Sequence, residues 1–126
     1  MLGESKAFSG FSVDSVEAAR RFYGETLGLK VTDDEMGTLA LHLGSGARVF
    51  LYPKENHTPA SFTVLNFPVE DIERAVDELV ARGIVIQRYE GFDQDEKGIA
   101  RDEESGHAIA WFEDPAGNVL SVLTGP

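Results

Sequence analysis

The side chains able to do chemistry in this chain are few and scattered. Three histidines, His42, His57 and His107, stand in a sequence without cysteine, so cysteine nucleophiles, disulfides and thiolate metal sites are excluded. No two of these histidines have the helical or hairpin spacing that turns a pair of imidazoles toward one ion, so each reads first as a surface group or a singly hydrogen-bonded one. His42 alone offers a general acid or base, or a polar contact. Ser9, Ser12, Ser61 and Ser121 lack a nucleophile elbow or a partner base, and Gly44-Ser45-Gly46 has the chemistry of a hairpin turn rather than of a phosphate cradle. The 22 carboxylates lie mostly on helix faces and in one loop, where solvation is their default role.

The aromatics are the stronger signal. Trp111, Phe112, Tyr52, Tyr89 and Phe92 can stack on a planar ligand if they face a pocket, although aromatics at strand positions more often fill a core. A formal charge of -11, from 22 acidic against 11 basic residues, repels phosphate backbones and argues against nucleic acid as a partner. The same charge attracts a cationic small molecule, while also being what solubility alone requires.

The elements that must position these groups repeat. Ala108 to Leu123 reads as two apolar runs around Asp114-Pro115-Ala116-Gly117, a type I turn by its Pro and Gly, and hence as a hairpin. Leu39 to Leu51 is a second copy: sliding by 70 lays Val49-Phe50-Leu51 on Val119-Leu120-Ser121. Phe11 to Glu17 matches Phe67 to Glu73 at an offset of 56, each running from a strand into a helix. A repeat constrains the whole architecture. The chain is two copies of strand, helix, strand, hairpin, spanning 6–53 and 61–124, with connector 54–60, inside one domain of 126 residues.

In the first copy a strand over Lys6 to Val13 puts Phe8, Gly10 and Ser12 on one face. Asp14 or Ser15 caps a helix whose buried stripe is Val16, Ala19, Phe22, Tyr23 and Leu27, ended by Gly28; Leu29 to Thr32 is the next strand. In the second, Ser61 to Val69 is a strand, Glu70 or Asp71 caps a helix buried through Ile72, Ala75, Val76, Leu79 and Val80, and Ile84 to Tyr89 is a strand. Glu90 to Gly106 has no counterpart of its length in the first copy; Phe92, Ile99 and Arg101 are its candidate ligand-facing members. No run approaches the roughly 18 apolar residues of a membrane span, and Met1 to Gly10 lacks signal-peptide regions, so a soluble cytoplasmic protein without a membrane partner is expected.

This order, with F-Y-G-E-T-L-G-L at Phe22 to Leu29 and D-P-A-G-N at Asp114 to Asn118, resembles the vicinal oxygen chelate superfamily, which includes glyoxalase I, extradiol dioxygenases and the fosfomycin and bleomycin resistance proteins. The resemblance implies an α+β fold of two βαβββ modules whose eight strands curl around a cleft with helices outside, and often a homodimer. In the metal-dependent members each module offers one ligand from its first strand and one from its last, usually His and Glu. Those positions fall here on Phe8, Leu51, Val64 and Ser121, and three of the four have no donor atom to offer. The resemblance is therefore closest to the bleomycin-resistance branch: a metal-free binding protein without a cofactor, sequestering an apolar, aromatic or cationic ligand, with glyoxalase- or dioxygenase-like catalysis as the alternative, through unrecognised ligands or through His42 and a carboxylate such as Glu113. The expected cleft is lined by Phe8, Ser12, His42, Leu51, Val64, Asn66, Phe92, Arg101, Trp111, Phe112, Ser121 and Leu123.

Overall fold

The computed structural model describes residues 1–125, and the chain forms two compact units, Met1–Pro59 and the unit beginning at Ala60. Both follow the expected α+β pattern, each a four-stranded mixed sheet with a helix.

In the first unit a 3-10 turn over Leu2–Glu4 precedes β1 (Ser9–Val13). Helix α1 (Val16–Arg20) follows, capped by the Ser15 hydroxyl, which accepts from the Ala18 N–H at 3.1 Å. The helix does not run on regularly to Leu27 as its apolar spacing predicts. It widens at Arg21–Thr26 into a π-helical turn, in which the Leu27 N–H donates to the Phe22 carbonyl five residues back, at 2.9 Å. Gly28, with φ of +77°, ends it. Strands β2 (Lys30–Asp33), β3 (Leu39–His42) and β4 (Arg48–Pro53) complete a sheet of order β1-β4-β3-β2, in which only the β1/β4 pair is parallel.

Alternation along these strands sorts the side chains into two faces. Phe11, Leu51 and Leu39 share one row of the register, and Phe11 meets Tyr23 of the π turn with ring centroids 6.4 Å apart. This is the helix-covered face, where Val13, Leu39, Leu41 and Leu51 are buried. The opposite face carries Gly10, Ser12, Thr32, Ala40, His42, Arg48, Phe50 and Tyr52.

The second unit opens with β5 (Thr63–Pro68) and α2 (Ile72–Ala81), capped by Asp71, whose carboxylate accepts from the Arg74 N–H at 3.1 Å. Ile72, Val76 and Leu79 form its buried stripe. The Ile84 to Tyr89 strand expected next is reduced to a single bridge, Gln87 to Trp111. The strand that pairs beside the final hairpin is instead β6 (Ala100–Arg101), supplied by the insertion. Backbone pairing fails over 84–89 because a side chain takes its place. Gln94 accepts from the Tyr89 N–H at 2.9 Å and donates to the carbonyls of Gln87 and Gly98 at 2.9 and 2.8 Å. Arg88 ties the same segment to the Asp95 and Glu96 carbonyls at 2.8 and 2.9 Å. The backbone groups of this segment are thus satisfied without a ladder.

The hairpin of β7 (Ala108–Glu113) and β8 (Val119–Thr124) turns at Asp114, whose buried carboxylate accepts from the N–H groups of Ala116 and Asn118 at 2.9 Å each. The D-P-A-G-N motif is therefore architecture, an Asx-type turn held from inside. The sheet order is β5-β8-β7-β6, with α2 against β7 and β8.

Candidate functional site

In the second module the register places Asn66, Ser121, Trp111 and Gln87 in one row across the sheet. Ser121 is fully buried and donates its hydroxyl to the Asn66 side-chain carbonyl at 2.6 Å. Trp111, 9% exposed, is flanked by two rings: Tyr89 edge-on at 5.5 Å and Phe92 tilted at 4.9 Å, centroid to centroid. Both lie within the range of favourable aromatic pairs. Glu113 and Leu123 share this face with Trp111, because each is two positions along its strand from a member of the row. The Tyr89 hydroxyl is buried and has no hydrogen-bond partner among the described residues. Its pKa is raised above the ordinary tyrosine value, first by burial and then by the charge of Glu113.

The other face of this sheet is structural. Phe112 sits in a row with Leu120 and Leu65 and is 1% exposed, so the expectation that it lines a cleft is corrected: one residue from Trp111, it points the opposite way. Ile99 is buried at 1% exposure, and Arg101, paired in register with Ala108, reaches Glu73 of α2 at 3.4 Å and Asp95 at 3.7 Å. Both insertion residues serve the helix side, and of the three singled out there only Phe92 accompanies Trp111. Val64 is the extra residue of a bulge, the register shifting between Thr63 and Leu65 opposite Val119 and Leu120.

In the first module Leu51 is likewise corrected: it is fully buried beneath the helix. The cause is an offset. Phe11 pairs with Leu51, whereas its equivalent Phe67 pairs with Val122, so the last strands correspond at 71 and not 70. The residue equivalent to Ser121 is thus Phe50. Phe8, 70% exposed, stacks on it at 4.7 Å. Ser12 lies on the same face, its hydroxyl 2.6 Å from His57 Nδ1. His42 pairs with Arg48 rather than standing beside Val49, and its Nε2 shares a hydrogen bond with the Thr32 hydroxyl at 2.9 Å.

A family model described as Glyoxalase/Bleomycin resistance protein/Dioxygenase superfamily matches residues 9–122. The chain belongs to this superfamily. Similar solved structures include the glyoxalase family protein from Enterococcus faecalis, at 23% identity and TM-score 0.70, covering 98% of this chain and 99% of that one. The virulence protein STM3117 from Salmonella typhimurium matches at 22% identity and TM-score 0.69 over all of both chains. A glyoxalase/bleomycin resistance protein/dioxygenase from Alicyclobacillus acidocaldarius matches at 14% identity and TM-score 0.71, covering 97% and 92%. These likenesses concern the fold. No curated protein matches significantly.

Superfamily membership makes the metal positions a direct question for this chain. The positions that the resemblance assigns to metal ligands are Phe8 and, at the corrected offset, Phe50 in the first module, their rings 4.7 Å apart, and Val64 and Ser121 in the second, with the serine hydroxyl donated to Asn66. Hydrocarbon cannot coordinate a divalent ion, so this donor set does not fit the superfamily's metal. Among the described residues no group of three or more His, Asp or Glu side chains is arranged to hold one. No helix among them is long and apolar enough to cross a membrane.

Phe50, Thr32 and Arg48 stand on the same face as Ser12 and His42 and were not among the residues expected there from the sequence. No sequence signal pointed to them: only the observed pairing of the first strand with the last fixes the parity of the hairpin.

Proposed function

We propose that this protein is a metal-independent small-molecule binder of its superfamily, capturing a planar, cationic ligand against the Trp111 face of its second module. The observation that carries this reading is the aromatic group of Tyr89, Trp111 and Phe92 with Glu113 on the same side of the sheet. Indole and phenol rings attract a desolvated cation through their quadrupoles, and a nearby carboxylate adds a counter-charge. The buried Tyr89 hydroxyl supports the reading further, since an acceptor on the ligand would satisfy a group that the chain leaves unmade. Asn66 and Leu123 supply a polar point and an apolar wall. The side chains at the superfamily's metal positions support capture over Lewis-acid chemistry.

Trp111 is the only tryptophan, so its emission reports this face alone. A panel of bleomycin-type and other cationic aromatic compounds, titrated against the folded protein, is expected to give saturable quenching from at least one member. By calorimetry Trp111→Ala weakens that compound by tenfold or more, on the order of a lost stacking contact. Absence of saturable quenching across the panel, or equal binding by neutral aromatics, would overturn the proposal.

A further inference from the structure

The far face of the first module is basic where that of the second is aromatic with a carboxylate. Lys30, His42 and Arg48 stand side by side in one row of the register, on β2, β3 and β4. Side chains directly opposite one another on adjacent strands approach to roughly 5 Å at their β-carbons, where like charges repel. Neither Lys30 nor Arg48 makes an ion pair with any carboxylate among the described residues, although the chain has 22 acidic groups against 11 basic ones. The nearest turn, Leu43 to Ala47, is uncharged. Thr32, on the same face, holds the imidazole of His42 through the hydrogen bond to Nε2.

Beside this basic row lies an aromatic floor. Phe8 precedes Ser9, which is the register partner of Val49, so it flanks Arg48 on the β1 side. Its ring meets Phe50 at 4.7 Å, and the Arg48 guanidinium lies 5.9 Å from the centre of the Phe50 ring. An arginine laid on a ring keeps its edge N–H groups for an oxyanion. Like charges side by side on adjacent strands repel locally, and an anion laid across them relieves that repulsion.

We infer that this face binds a small aromatic anion, with its carboxylate or phosphate across Lys30, His42 and Arg48 and its ring on Phe8 and Phe50. Both head groups share the oxyanion that the row recognises. The site is distinct in residues and in charge preference from the Trp111 face.

The test is a titration of the full chain with 1-naphthoate, 1-naphthyl phosphate, neutral 1-naphthylmethanol and inorganic phosphate, followed through the His42 ring and Arg48 side-chain NMR signals. The two naphthyl anions are expected to shift these signals saturably and raise the melting temperature. Arg48→Gln and Lys30→Gln, both exposed positions, each weaken them by about tenfold, the loss of one charge-assisted contact. Added salt weakens them as well. Which anion binds tighter identifies the head group, while Trp111→Ala leaves the binding unchanged, so that failure here and failure of the proposed function are separable. Equal binding by the neutral alcohol, equal binding by inorganic phosphate, or unchanged affinity in both charge variants with wild-type circular dichroism would overturn the inference.

Discussion

Tyr89 carries a cost that a ligand with an acceptor would offset. Its hydroxyl is buried without a partner among the described residues, which ordinarily costs about 1–3 kcal/mol relative to a satisfied or absent group. Tyr89→Phe is therefore expected to leave unfolding free energy at neutral pH unchanged or slightly higher, measured by chemical denaturation, while weakening the Trp111-face ligand. The pH dependence has a definite sign. Burial and then Glu113 raise the folded-state pKa above the ordinary value of 10.0, so the folded protein holds this proton more tightly than the unfolded chain. This contribution is fully present below about pH 10 and is lost as pH rises through the window up to the folded-state value. Denaturation midpoints of the wild type should fall more steeply above about pH 10 than those of Tyr89→Phe. Equal slopes would mean that the phenol is hydrated.

At the scale of elements, the second module depends on a glutamine acting as a strand. Gln94 makes three hydrogen bonds that hold 84–89 against the insertion, and Gly98, with φ of +88°, brings the chain close to Ile86. Gln94→Ala should cost about 1–3 kcal/mol by leaving part-buried backbone groups unpaired. Amide exchange of Tyr89 should accelerate while that of β7 and β8 is unchanged. Accelerated exchange throughout the module would show that the insertion is not a separate local unit.

What was legible in the sequence follows from the same physics. The caps Ser15 and Asp71, the helix stripes and the two hairpins were all readable, because each depends on residues within one turn of chain. The parity of the hairpins was not. Val119, Leu120, Ser121 and Val122 are all buried, so no alternation in β8 says which face is which, and an offset of 70 looks as good as 71. That single step puts Leu51 beneath the helix and Phe50 on the opposite face. The loss of the 84–89 strand was hidden for a different reason: a side-chain replacement for a ladder leaves the apolar pattern of a strand intact.

Across the whole molecule, superfamily membership fixes the architecture and leaves the chemistry to the side chains placed on it. The two modules carry the same fold and different far faces: aromatic with a carboxylate in the second, basic with a pair of phenylalanines in the first. The difference between the faces arises by substitution at equivalent strand positions, not by change of scaffold. The central claim is that the superfamily's metal positions hold Phe8, Phe50, Val64 and Ser121 and that the chain works by capture. Its most direct test is metal analysis of protein purified without chelator, with calorimetric titration of Zn, Ni, Mn and Fe. The account predicts substoichiometric metal and no saturable binding at micromolar ion. One ion bound per chain, lost on substituting a residue of this chain, would contradict it.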